Sequence, residues 1–141
     1  RFNANEIKQA QSFLDERTDQ EMMIQPYLRS VESEGELSAI FVDGEFTHSV
    51  QKIPVHGDYR VQDDFGAEDR PYSFTPKEIN TMKNIFNHVP DGDSLLYARV
   101  DYLRADDGTL LLNELELIEP SMFFRHSEDA AKKFASAILN I

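Results

Sequence analysis

The spacing of hydrophobic and polar positions changes along this chain, and each change marks an element. From Asn3 to about Arg17, Ile7, Ala10 and Leu14 recur at helical spacing, and Asn3 followed by Glu6 has the form of a capping box. Residues Glu21 to Leu28 read as a strand, with Met22, Met23 and Ile24 leading into Gln25-Pro26-Tyr27-Leu28. Glu32-Ser33-Glu34-Gly35-Glu36 is polar and turn-like. Leu37 to Val42 and Glu45 to Ile53 are β-rich runs flanking Asp43-Gly44, a strong hairpin signal. Residues 54–74 carry Pro54, Gly57, Gly66 and Pro71 among many charges and predict a long irregular loop.

Thr75-Pro76-Lys77-Glu78 has the form of a helix start, with a capping Thr, Pro in the first turn and Glu completing the box. Ile79, Met82, Phe86 and Val89 make its apolar face, and Pro90-Asp91-Gly92 ends it. Leu95 to Arg104 and Thr109 to Ile118 form a second hairpin around Asp106-Asp107-Gly108. Ser127 opens a last helix, with Glu128 and Asp129 in its first turn and Ala131, Phe134, Ala135, Ile138 and Leu139 as its core face. The order helix, hairpin, loop, helix, hairpin, helix predicts an α+β fold in which helices back an antiparallel sheet.

Composition narrows the chemistry. The 141 residues suit one domain, and 40% hydrophobic residues can fill a core. The absence of Cys excludes disulfides and thiolate metal sites. No apolar run is long enough to span a bilayer, which sets cytoplasm as the default expectation with no membrane partner. A net charge of −12 argues against nucleic acid as a partner, though nucleotide binding through a metal stays compatible with it. His48, His56, His88 and His126 are scattered and show no metal-ligand spacing.

The second hairpin holds the candidate chemistry. Strict alternation over 110–118 puts Leu110, Leu112, Glu114, Glu116 and Ile118 on one face, and Leu111, Asn113, Leu115 and Leu117 on the other. Both faces are largely apolar, which predicts a central strand. A two-residue turn at Asp107-Gly108 sets Asp101 opposite Glu114 and Arg99 opposite Glu116. A four-residue loop gives the same pairing; a bulge would not. Three carboxylates on one patch, with only Arg99 to balance them, call for a cation or a raised pKa. Hard oxygen donors at this spacing suit Mg²⁺ or Mn²⁺. The alternative at this point is a solvated acidic face.

Tyr97-Ala98-Arg99-Val100-Asp101-Tyr102, an acidic Gly turn, then Asn113-Glu114-Leu115-Glu116 and Pro120 resemble the metal-binding signature of ATP-grasp ligases. In that family an Arg-x-Asp strand precedes Glu-x-Asn and a Pro. The overall order is similar to bacterial glutathione synthetase and its relatives, including the cyclo-ligase of D-cycloserine biosynthesis. The likeness covers about residues 20–140.

The resemblance implies the fold of an ATP-grasp C-terminal sub-domain and a role for each matching residue. Gln25, Pro26, Tyr27 and Leu28 would form the hinge that reads adenine, through the Pro26 carbonyl and the Leu28 N–H. Glu36 would hold the ribose hydroxyls, and Lys52 would line the same cleft. Asp101, Glu114 and Glu116 would hold Mg²⁺, while Arg99 and Arg60 would stabilise charge on the transferring phosphoryl group. Arg60 lies in Gly57-Asp58-Tyr59-Arg60, similar to the family's Gly-Asp-Phe-Arg segment. The implied reaction joins a small-molecule carboxylate to an amine or similar nucleophile at the expense of ATP; a homo-oligomer is left open.

Two departures bear on the product. Glutathione synthetases carry an Asn two residues after that Arg and then a Gly-Gly-Arg loop. Here stand Gln62 and Phe65-Gly66-Ala67-Glu68-Asp69-Arg70, with Glu68 at the loop arginine's position and Arg70 nearby. Glu116 also replaces the family's usual Asn. The family's N-terminal domain and Gly-rich-loop sub-domain have no counterpart here, so the expectation is a C-terminal piece of a ligase, inactive alone. The competing reading is a non-catalytic acidic module that binds a divalent metal, or a degenerate ATP-grasp domain.

Overall fold

The computed structural model describes residues 1–61 and 65–140. Helix α1 (Ile7–Asp15) and a short α2 (Ser30–Ser33) precede the hairpin β1 (Glu36–Val42) and β2 (Glu45–Ile53). Strand β3 (Glu68–Pro71), helix α3 (Pro76–Phe86), strands β4 (Tyr97–Arg104) and β5 (Leu110–Glu116), and helix α4 (Glu128–Ile138) follow. The strands form one antiparallel sheet in the order β3-β2-β1-β4-β5. Among the described residues no helix is long and apolar enough to cross a membrane.

Local chemistry explains the elements that match expectation. Asp43 and Gly44 both have positive φ, the backbone that a two-residue hairpin turn needs. Thr75 and Glu78 make both bonds of the capping box at the start of α3. The Ser127 hydroxyl caps α4 by accepting from the Ala130 N–H.

Strand alternation then divides the sheet into two unlike faces. Leu37, Ala39 and Phe41 of β1 and Ala98, Val100 and Tyr102 of β4 pack against Met82 and Phe86 of α3, with Phe41 stacked on Phe86 at 4.4 Å. On the other face, Ile40, Val42 and Val50 pack under Phe123, with Phe124 and Phe134 of α4 closing the cluster. That second face turns polar along β1, from Val42 and Ile40 through Ser38 to Glu36, and the candidate site lies at its polar end.

Five features differ from the sequence expectation. Asn3 and Glu6 do bond, but they close a turn, and α1 begins only at Ile7 with no fully buried residue. Residues 21–28 join no sheet; Met23 is 88% exposed, and Pro26 has no N–H to offer a ladder. The 54–74 loop contains β3, an edge strand paired to β2. Strand β5 is an edge strand, because no described residues pair beyond it, and its leucines stay partly exposed. Only the first turns of α4 lie on the sheet: Ala130 is buried and Phe134 partly so, whereas Ala135, Ile138 and Leu139 run past it into solvent.

The β4–β5 register also differs near its turn. The loop is one residue shorter than a four-residue turn, so Arg104 pairs with Leu110 and Tyr102 with Leu112. A β-bulge at Asn113 then restores the expected pairs, Asp101 with Glu114 and Arg99 with Glu116. The bulge moves the strand's side chains from one face to the other. Leu110 and Leu112 share a side with Tyr102, toward α3, while Glu114 and Glu116 share the opposite side with Asp101.

Gly35 fixes where β1 begins. It has positive φ, and a Cβ there would meet the Lys52 carbonyl oxygen at 1.9 Å. Gly35→Ala therefore strains both its own backbone and the start of the β1–β2 ladder. We expect it to lower unfolding free energy by about 2 kcal/mol or more; urea denaturation would measure this, and unchanged stability would contradict the close packing.

Candidate functional site

The site is built from four neighbouring strands. Asp101, on β4, is fully buried, and both of its carboxylate oxygens are engaged. Ser38 Oγ of β1 donates to Oδ1 at 2.6 Å, and Lys52 Nζ of β2 reaches Oδ2 at 3.0 Å. Arg99, two residues before Asp101 and therefore on the same face, donates from Nε to Oδ1 at 3.0 Å and from Nη2 to Oδ2 at 2.9 Å. The same Nη2 pairs with Glu116 of β5, and Lys52 pairs with Glu36 at the start of β1.

Charge balance explains the titration of the group. Burial pushes the Asp101 carboxyl up, but the charges of Lys52 and Arg99 outweigh it and hold Asp101 below the usual aspartate range. Glu36 goes the other way: burial pushes it up, and Lys52 only partly offsets that. Arg99 is raised despite its burial, because Asp101 and Glu116 favour its charged form.

Asp101, Glu114 and Glu116 present carboxylate oxygens that all lie within 4.8 Å of one another. This is the metal-ligand group among the described residues, and its all-oxygen donor set fits a hard divalent cation. Four carboxylates, counting Glu36, face the two cations Lys52 and Arg99, so the cluster retains negative charge for a further cation.

Beside the cluster lies a cavity of about 740 Å³. Gln25, Pro26, Tyr27 and Leu28 line it together with Glu36, Arg60 and Asn113. Among the described residues, neither the Pro26 carbonyl nor the Leu28 N–H has a hydrogen-bond partner, so both are free for a ligand's edge. Arg60 is held by Asp58 at 2.6 Å and stacks on Phe65 at 3.9 Å.

Thus the structure gathers Arg99, Asp101, Glu114, Glu116, Lys52 and Glu36 into one cluster, and puts Gln25, Pro26, Tyr27, Leu28 and Arg60 on the cavity beside it. Glu36 is 5% exposed, not part of an open turn. Gln62 lies outside the described residues. Arg70 pairs with Gln51 through Nε at 3.0 Å, and Glu68 is exposed at the start of β3.

Sequence reasoning missed two participants. Ser38 had a signal, as the one hydroxyl within the apolar run Leu37–Val42. Asn113, whose amide donates to Glu36 Oε2 at 2.6 Å, had none, because strict alternation sets it on the wrong face. Phe123 packs the start of α4 onto the sheet, and the Arg99 guanidinium sits 5.8 Å from its ring.

Comparison with known proteins gives the family and the fold. The sequence profile of the RimK-like ATP-grasp domain matches residues 2–138. The cycloserine biosynthesis protein DcsG of Streptomyces lavendulae is 32% identical over 127 residues, covering 83% of this chain and 41% of that protein. The crystal structure of D-cycloserine synthetase DcsG superposes with a TM-score of 0.63 at 30% identity, over 82% of this chain and 41% of that one. D-alanine–D-alanine ligase from Bacillus anthracis, complexed with ATP, gives a TM-score of 0.63 at 17% identity, over 99% of this chain and 46% of its own, a likeness of fold alone. The chain spans less than half the length of these relatives.

Because the folded pKa of Asp101 is depressed, its contribution to stability is present above the unfolded value, about 3.9, and lost as pH falls below it. Glu36 contributes with the opposite sign, since its folded pKa is raised. We expect Asp101→Asn to cost about 3–5 kcal/mol at neutral pH, because Lys52 and Arg99 lose their buried partner. Its urea midpoint should also fall less steeply than wild type below about pH 4. An acid limb as steep in the variant as in wild type would contradict this assignment.

Proposed function

The chain belongs to the RimK-like ATP-grasp family, and from that premise we propose that it supplies the nucleotide and metal side of an ATP-dependent ligase. The observation that carries this reading is the convergence of Arg99, Asp101, Glu114, Glu116 and Lys52 on one sheet face, beside a cavity bearing the hinge residues. In this reading the chain is the C-terminal part of the ATP-grasp domain, and the rest of the ligase completes the site.

The hinge backbone at Pro26 and Leu28 reads the adenine edge, and Glu36 accepts from the sugar hydroxyls. Asp101, Glu114 and Glu116 hold Mg²⁺ or Mn²⁺, which supplies neutralising charge for phosphate oxygens. Arg99 and Lys52 add fixed positive charge on the same face. Phosphoryl transfer depends mainly on such positioning and charge neutralisation.

The reaction class follows. A carboxylate oxygen of the substrate attacks the terminal phosphorus, the bond to the bridging oxygen breaks, and ADP leaves. An amine or similar nucleophile then attacks the acyl carbon, loses its proton, and expels phosphate with the bonding electron pair. Arg60, on the cavity wall, stabilises charge on the transferring group. The route requires no covalent enzyme nucleophile.

Calorimetric titration of a non-hydrolysable ATP analogue with Mg²⁺ tests the proposal. We expect binding that requires both components. Asp101→Ala and Glu114→Ala should each weaken it at least about tenfold, the equivalent of about 1.4 kcal/mol. Metal binding indifferent to nucleotide would instead identify an acidic metal-binding module.

A further inference from the structure

Asn113 is the residue that the β4–β5 ladder leaves over. Leu112 pairs with Tyr102 and Glu114 with Asp101, so Asn113 and Glu114 together oppose the single residue Asp101. A bulge of this kind re-aims side chains, and here it turns Asn113 toward Glu36. The amide donates to Glu36 Oε2 at 2.6 Å, while Lys52 pairs with Oε1. Each oxygen of Glu36 is thus held by one donor, and a carboxylate has about four acceptor sites in all. Glu36 and Asn113 both line the hinge cavity.

We propose that Asn113 is a positioning residue. It holds the Glu36 carboxylate in the orientation that accepts from the two vicinal hydroxyls of a nucleotide sugar. It also links that carboxylate to the strand segment that aims Glu114 at Asp101. The proposal rests on the nucleotide reading of the cavity and goes beyond it by assigning the sugar contact a second residue. Without the amide, Glu36 Oε2 loses its protein donor while the Lys52 pairing remains, so the carboxylate can rotate. Recognition of the sugar then weakens, whereas contacts to adenine and phosphate stay.

The test is a binding ratio, measured by calorimetry with Mg²⁺ present on the ligase that contains this chain. The two probes are a non-hydrolysable ATP analogue and its 2′,3′-dideoxy form. Wild type should favour the hydroxyl-bearing analogue by about tenfold or more, as expected for hydrogen bonds to a charged acceptor. Asn113→Asp keeps the shape of the side chain but replaces the donor with an acceptor, and should reduce the preference to less than about threefold. Asn113→Ala should do the same in a wild-type background, yet change the ratio no further when Glu36→Gln is already present.

A merely structural bulge would behave differently. It would lower the thermal midpoint and weaken both analogues alike, leaving the ratio intact; that result would overturn the proposal. Wild-type binding without any sugar preference would also overturn it, while sparing the nucleotide reading. Failure of the wild type to bind either analogue would overturn both.

Discussion

One buried carboxylate organises this molecule. Asp101 lies fully inside the sheet, where an isolated charge would be costly, and it stays ionised because Lys52 and Arg99 converge on it. Those cations come from different strands, and Ser38 comes from a third. The group therefore exists only when β2, β1 and β4 lie side by side in the observed order. A buried ion pair of this kind adds modest net stability, but losing one partner strands the others. It acts as a constraint on topology more than as a source of stability.

The two faces of the sheet divide the work. Beneath α3, Leu37, Ala39, Phe41, Val100, Met82 and Phe86 supply apolar burial. On the other face, Phe123 and the first turns of α4 cover only the end of the sheet that carries Ile40, Val42 and Val50. The remaining surface is left to charged side chains and to the cavity lined by residues 25–28. Arg99 sits at the seam, reaching toward the Phe123 ring on one side and the carboxylates on the other.

Much of this was legible in the sequence, where local chemistry determines structure. Asp43-Gly44, the Thr75–Glu78 box and the Ser127 cap each encode a backbone geometry in a few adjacent residues. The facing pairs at Asp101 and Arg99 were also legible, but by cancellation: the turn shifts the register by one residue and the bulge at Asn113 shifts it back. What stayed hidden depends on neighbours. The lack of sheet pairing by residues 21–28, the edge position of β5 and the exposure of Ile138 and Leu139 follow from what does or does not lie beside them. The pairing of Glu36 with Lys52 likewise spans two strands and has no trace in a single run of residues.

The bulge at Asn113 has a wider consequence for β5. A regular strand has fixed parity: every second side chain faces the same way from end to end. By breaking parity once, β5 aims Leu110 at the oily layer and Glu114 and Glu116 at the ionic one, although all three are even-numbered positions. Were the strand to run through the same residues in strict alternation, Glu114 and Glu116 would fall on the side of Leu110 and face the oily layer, while Leu115 would turn to the ionic one.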